Sequence, residues 1–268
     1  MPVHYTRLDQ LSAQYRYIYL SPHLDDAALS CGGTIAQHTT AGTPVLVVNI
    51  CTGAPPAGVP LSPFASLMHR RWNLSADEAV ARRLREDAEA LEILRADAFH
   101  LDLLDAIYRL PEAYTDDDRL FDQVAEGDPL ARDVQARLEP LINLFPDAVI
   151  YAPLGVGSHV DHLSTFTAAQ ALSRGGASVA FYEDFPYARG ESALDRRLTE
   201  LGGPDRFLPL VTSIDATLTR KIGAIEAYAS QLDALFGGAA AMAQAVRDYA
   251  ARVSPDAGAY GERIWMFR

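Results

Sequence analysis

A three-layer α/β/α sandwich with a mainly parallel, Rossmann-like sheet is the fold class this sequence predicts, on two observations. Short apolar runs rich in β-branched and aromatic residues alternate with segments of helical periodicity, which is the pattern of βαβ units. Polar clusters follow those runs, as loops at the carboxyl ends of parallel strands do. With 268 residues, 49% apolar and 22% charged, the chain suits one large domain, 1–268, with a sizeable core.

The first run, Tyr17 to Leu20, leads through Ser21-Pro22-His23-Leu24-Asp25-Asp26 into a helix expected from Ala27 to Thr40 and closed by Gly42. Val45 to Ile50 reads as a buried strand. The stretch Thr52 to Trp72 is rich in Gly, Pro and Ser without periodicity, so it reads as a long loop of the functional kind. Ser75 and Glu78 make a capping box for a helix over about Ala76 to Ala96, whose Val80, Leu84, Ala88 and Leu91 share one face. Ala98 to Leu103 is a third strand, and Asp116-Asp117-Asp118 is a solvated loop because EF-hand spacing is missing. A helix from Leu130 to Leu144 precedes a strand from Ala148 to Tyr151, whose Gly/Pro loop ends in His159-Val160-Asp161-His162. Ser178 to Tyr182 is a further strand followed by Glu183-Asp184, and Thr217 to Phe236 reads as one helix stopped by Gly237-Gly238. The tail Ile264-Trp265-Met266-Phe267 is expected to dock on the core.

The net charge of −12 excludes a basic nucleic-acid module. No apolar run reaches the roughly 20 residues that span a bilayer, and the first residues carry no apolar signal-like region, so a cytoplasmic protein without stable membrane insertion is expected. Cys31 and Cys51 are too few for a disulfide framework and read as free thiols. No G-x-G-x-x-G follows the first strand, which argues against a dinucleotide site. Oligomeric state is not legible.

Three strand ends carry the clusters His23/Asp25/Asp26, His159/Asp161/His162 and Glu183/Asp184, which should converge on one crevice. Two His and one carboxylate with an open position suit catalytic zinc. His23 and Asp26, three apart in a turn entering a helix, can face one point while Asp25 projects toward a water. Any one of these aspartates could be a helix cap. Capping alone does not explain two such clusters after two strands.

His23-Leu24-Asp25-Asp26 followed by Cys31-Gly32-Gly33, with His159-Val160-Asp161-His162 downstream, resembles the paired signature of the LmbE/PIG-L zinc-dependent de-N-acetylases. Thr52-Gly53, Arg83 with Glu86, Asp105 and Tyr228-x-Ser230-Gln231 also have counterparts in that family. The resemblance implies zinc held by His23, Asp26 and His162; the same ligands accept Fe2+ or Co2+. It implies Asp25 as general base, and His159, oriented by Asp161, as support for the transition state, which a protonated imidazole would give. Arg83 and Asp105 resemble positions that hold sugar hydroxyls. The substrate so implied is a small N-acetylated, GlcNAc-type sugar or glycoconjugate. Leu24 stands where the family usually has Pro, and Ala27 where it usually has Glu. A metal-dependent phosphoesterase and a carbohydrate-binding pseudoenzyme stay open as alternatives.

Around this site, His69, Arg70, Arg71 and Trp72 suit a lid that stacks on a sugar, against the bland reading of Trp72 as a staple for the next helix. Glu183 and Asp184 are expected to line the pocket, unless the aromatic residues beside them only anchor a loop. Tyr108 and Arg109 have the same standing. Arg83 could instead be an exposed helix arginine paired with Asp87. His4, His38 and His100 read as structural or surface residues.

Overall fold

The computed structural model describes residues 2–11, 14–55, 58–72 and 76–268. Its first half runs β1 (His4–Tyr5), β2 (Tyr17–Ser21), α1 (Asp26–Thr40), β3 (Val45–Asn49), α2 (Pro63–Trp72), α3 (Ala76–Leu94), β4 (Asp97–His100), α4 (Ala106–Arg109), α5 (Asp117–Leu120) and α6 (Leu130–Leu144). The second half runs β5 (Val149–Pro153), α7 (Val160–Arg174), β6 (Ser178–Tyr182), α8 (Ala193–Glu200), β7 (Phe207–Ser213), α9 (Leu218–Glu226), α10 (Ala229–Phe236), α11 (Ala239–Val253) and β8 (Gly261–Phe267).

The strands form one sheet in the order β1-β4-β3-β2-β5-β6-β8-β7, parallel from β1 through β6 and antiparallel at β6/β8 and β8/β7. This is the α/β class predicted. Strand side chains alternate between two layers because the side-chain period is two. Ile18 and Leu20, Leu46 and Val48, and Val179 and Phe181 pack with Val134 and Leu138 of α6 and Phe166 and Leu172 of α7. Tyr19, Val47, Ala180 and Tyr182 pack on the other face with Ile35 of α1, Leu91 of α3 and Ala224 of α9. Both faces are covered, which is why the middle positions of the central strands are apolar on both faces.

Strands β3 and β4 extend the sheet on one side of β2, and β5 and β6 on the other, so the order reverses between β2 and β5. A crevice opens at such a point beyond the carboxyl ends of the two strands.

Gly32 and Gly33 serve packing. A Cβ on Gly33 would lie 2.7 Å from Cγ2 of Ile214, and one on Gly32 would lie 3.1 Å from Cγ of Lys221. Buried Glu262 of β8 accepts the Gly33 and Thr34 N–H groups and pairs with Lys221 at 2.7 Å.

Several boundaries differ from expectation. The stretch read as a loop to Trp72 contains α2, begun by Ser62, whose Oγ accepts the Ala65 N–H, with Pro63 in the first turn. The helix expected over Thr217 to Phe236 breaks into α9 and α10 at Ala227-Tyr228, where the Tyr228 hydroxyl donates to the Leu24 carbonyl and to Asp87. The acidic stretch is the short α5, capped by Asp116 through the Arg119 N–H. The C-terminal tail docks as strand β8, pairing with β6 and β7. At the sheet edge, β7 turns its odd residues outward, since Arg206 and Ile214 bond inward, so Pro209 removes a donor from the open side. The Ser75 end of the expected capping box lies outside the described residues.

Candidate active site

Strand β2 stops at Ser21, whose hydroxyl donates to the His23 carbonyl and accepts the Ala27 N–H at 3.0 Å, fixing the turn into α1. Ala27 itself is a core residue, away from the cavity lining. Asp26 folds back: its Oδ2 accepts the His23 backbone N–H at 2.8 Å and lies 3.2 Å from His23 Nδ1. Asp25 occupies the N-cap position of α1, yet its side chain makes no capping hydrogen bond. Its carboxylate is buried, 3.5 Å from Arg83 Nη2, and lines the cavity. Burial raises its pKa; Arg83 opposes that rise and the charge of Asp26 adds to it.

The adjacent strand β5 supplies the other half. Gly155 and Gly157, at φ +84° and +90°, turn the chain into α7, and Asp184 accepts the Gly155 and Val156 N–H groups at 2.8 Å each. The second oxygen of Asp184 takes the Nδ1 hydrogen of His162 at 2.7 Å, leaving Nε2 of His162 3.2 Å from Asp26 Oδ2. Burial opposes protonation of His162, but the charge of Asp26 and the hydrogen bond to Asp184 outweigh it and raise its pKa to about 9.

His23, Asp26 and His162 thus bring one nitrogen, one oxygen and one nitrogen together, all buried or nearly so. Nε2 of His162 is fully buried and hydrogen-bonded to nothing among the described residues. An orphaned ring nitrogen beside a carboxylate fits a divalent cation, and the outer nitrogen of each His is anchored by a carboxylate, Asp161 for His23 and Asp184 for His162.

The residues expected to help the reaction are placed differently. The carboxylate of Asp161 turns away from His159: it meets His23 Nε2 at 3.1 Å, the Ala106 N–H at 3.1 Å and Arg109 Nη2 at 2.7 Å. His159 is oriented instead by the Asp161 backbone, whose N–H donates to His159 Nδ1 at 3.2 Å. With Nδ1 accepting, the neutral ring carries its hydrogen on Nε2. Burial, with the neighbouring His23 and His162, pushes its pKa well below the usual range, which works against the protonated form expected from sequence.

A cavity of about 620 Å3 stands over the cluster, and its lining includes His23, Asp25, Asp26, Arg83, Asp105 and His159. Leu29, Met68, Ile107, Leu120, Phe121 and Leu235 add apolar wall to the same cavity. Asp105 caps α4 through the Ile107 N–H and lies 3.6 Å from His23; burial and the charge of Asp161 raise its pKa. Arg83 is largely buried against Asp25, whereas Asp87 is taken by Asn49 and Tyr228.

Two expected pocket residues are behind the site. Glu183 is fully buried, accepting from Trp265 Nε1 and Arg263, and touches no part of the cavity lining. Asp184 holds His162 and the β5 loop through its two oxygens. The side chain of Trp72 lies outside the described residues. Arg109, bracketed in the sequence with pocket residues, is a buried brace between Asp161 and Asp128. Gln231, the end of the Tyr228-x-Ser230-Gln231 match, lines the cavity, as do Phe121 and Tyr187, which are not singled out as site residues by the sequence.

Fold and site together define an α/β protein with a buried His/Asp/His group that could hold a metal ion at a sheet switch point, beneath a cavity lined by polar and apolar residues. The model of the PIG-L family, GlcNAc-PI de-N-acetylase, matches residues 18–173. The chain belongs to that family. It is 31% identical over 226 residues to the 2'-N-acetylparomamine deacetylase of Streptomyces fradiae, spanning 81% of this chain and 74% of that one. A solved deacetylase of the teicoplanin biosynthesis pathway superposes with a TM-score of 0.78 at 32% identity, covering 93% of this chain and 96% of its own. A zinc-inhibited form of teicoplanin deacetylase gives 0.76 at 31% identity, covering 93% and 97%.

Proposed function

We propose that this protein is a metal-dependent hydrolase that removes the N-acetyl group from an amino sugar carried in a glycoconjugate with a bulky apolar part. The observation that carries the reading is the buried His23/Asp26/His162 set with its orphaned His162 nitrogen, opening into a cavity that Asp25 shares. The relatives named as deacetylases support the reaction class. The apolar wall supports the extra bulk on the substrate.

His23, Asp26 and His162 would hold the ion, with zinc the best match to the donor set and Fe2+ or Co2+ compatible with it. Such an ion acts as a Lewis acid and brings the pKa of water toward ~7. Asp25, with its raised pKa, takes a proton from the attacking water as the water oxygen bonds to the acetyl carbon. The neutral His159 donates its Nε2 hydrogen to the carbonyl oxygen as negative charge gathers there. Asp25 then returns the proton to the nitrogen as the C–N bond breaks, giving acetate and the free amine. Arg83 holds Asp25 in place and, with Asp105, offers hydrogen bonds to sugar hydroxyls. Asp161 and Asp184 keep the two His ligands oriented.

The test is amine release from a panel of N-acetylglucosaminides bearing small or aromatic aglycones, using protein of known metal content. Wild type is expected to turn over the aromatic members faster, and Asp25→Ala to keep its metal while losing turnover by at least about 1,000-fold. Unchanged turnover in Asp25→Ala defeats its assignment, and two tightly held metals per chain would favour a phosphoesterase instead.

A further inference from the structure

Beyond strand β6 the chain passes Glu183 and Asp184, both fixed behind the site, and reaches Tyr187 on the cavity wall. The backbone there is tied from two directions: the Ala188 N–H donates to the Asp184 carbonyl at 2.9 Å, and Arg252 Nη2 donates to the Ala188 carbonyl at 2.9 Å. The ring stands edge-on to His162, with centroids 5.7 Å apart at 83°, and meets Phe121 at 5.6 Å. Its seat is Gly157. A Cβ at that position would lie 2.6 Å from Tyr187 Cβ and 2.7 Å from Cγ, and φ of +90° already favours glycine.

What the hydroxyl does is the informative part. Tyr15, Tyr108, Tyr114, Tyr182, Tyr228 and Tyr249 each place the phenol against a protein partner. The phenol of Tyr187 has no hydrogen bond among the described residues and belongs to the cavity lining. A phenol keeps its proton at neutral pH, so it is a donor awaiting an acceptor. His159 stands beside both His ligands, with ring centroids 4.8 Å from His23 and 5.3 Å from His162, and Phe121 packs on both His159 and Tyr187. Arg83 lies beside Asp25 and Asp105 beside His23. An oxygen that meets the His159 donor therefore lies in the cavity that Tyr187 also lines, on the side where Phe121 bridges the two rings.

We propose that Tyr187 is a further catalytic residue of this site, its phenol donating a second hydrogen bond, beside that of His159, to the oxygen of the scissile acetamide. The inference rests on the deacetylase reading above. Tyr187→Phe keeps the ring on Gly157, Phe121 and His162 and removes one donor. Loss of one such donor lowers kcat by about 100-fold or more. The expected result is that fall in kcat with KM within about twofold of wild type and an unchanged metal content and thermal midpoint. Affinity for a phosphonamidate analogue of the tetrahedral state should drop in parallel with kcat/KM. Gly157→Ala, which displaces the ring, should lose kcat as well. A rise in KM with kcat unchanged would make Tyr187 a sugar-binding group and overturn the proposal, as would unchanged kinetics. Absence of turnover in metal-loaded wild type across the panel would overturn the deacetylase reading itself.

Discussion

On the floor of the cavity His23, His162 and Asp161 are held by buried partners from three separate strand ends, whereas across its mouth one half-exposed ion pair, Arg71 to Asp117, joins α2 to α5. Floor contacts are hydrogen-bonded carboxylates in low dielectric, where a lost partner leaves a buried charge uncompensated. The mouth contact is solvated, with its side chains 46% and 51% exposed. The contrast separates two jobs. Chemistry needs groups fixed before the substrate arrives, and the sheet provides that; the surface helices that bound the mouth set what may enter.

The largest effects should come from the floor. His162→Ala is expected to remove both metal and turnover, a loss of at least about 1,000-fold. Asp184→Asn leaves His162 in place but weakens its anchoring, so metal affinity or activity should fall by about 10- to 100-fold. Metal content after dialysis, measured with kcat, ranks the two. Full metal and activity in His162→Ala would break the assignment, and an Asp184→Asn protein as impaired as His162→Ala would place Asp184 on the metal itself.

A smaller effect probes the brace under the floor. Asp128 accepts both arms of Arg109 and the Tyr114 hydroxyl; burial works against its charge, but these bonds hold its pKa below the usual carboxylate range. A pKa depressed on folding contributes stability above the unfolded value of about 3.9, and that contribution is lost as pH falls through the folded value. Wild type should therefore lose more of its thermal midpoint than Asp128→Asn between pH 6 and pH 3, while the variant starts a few degrees lower at pH 7. Parallel pH profiles for the two proteins would refute the brace.

The same division marks what the sequence could reveal. His23, Asp26, His159 and His162 were legible because each follows a strand within one short motif, and β2 and β5 are neighbours at the switch point. The groups that anchor them were less so. Asp184 meets His162 across 22 positions and Asp161 meets His23 across 138, and spacing carries no trace of a contact made by the fold. Arg263 and Trp265 hold Glu183, and His162 holds Asp184, behind the site, where a strand-end rule alone would have put them in the pocket. The roof was the hardest part, since α2 follows a Gly/Pro-rich stretch and the helix break at Tyr228 is set by its bonds to Leu24 and Asp87.

The smallest effect is expected at the mouth. Arg71→Ala removes a bidentate pair of 3.0 and 2.9 Å whose partners are solvated, and such pairs contribute only about 0.2–1 kcal/mol. That is less than about fivefold in any equilibrium constant, so kcat and metal content should not move. If the pair restrains the mouth, KM for a glycoside with a bulky apolar aglycone should change by up to about fivefold and KM for a small one should not, because only the larger group reaches Met68 and Phe121 on the same wall. Raising salt in the wild type should mimic the substitution, since exposed pairs are screened over about 10 Å at 0.1 M. A change of kcat by more than tenfold in Arg71→Ala would tie the mouth to the floor and remove the distinction drawn between them.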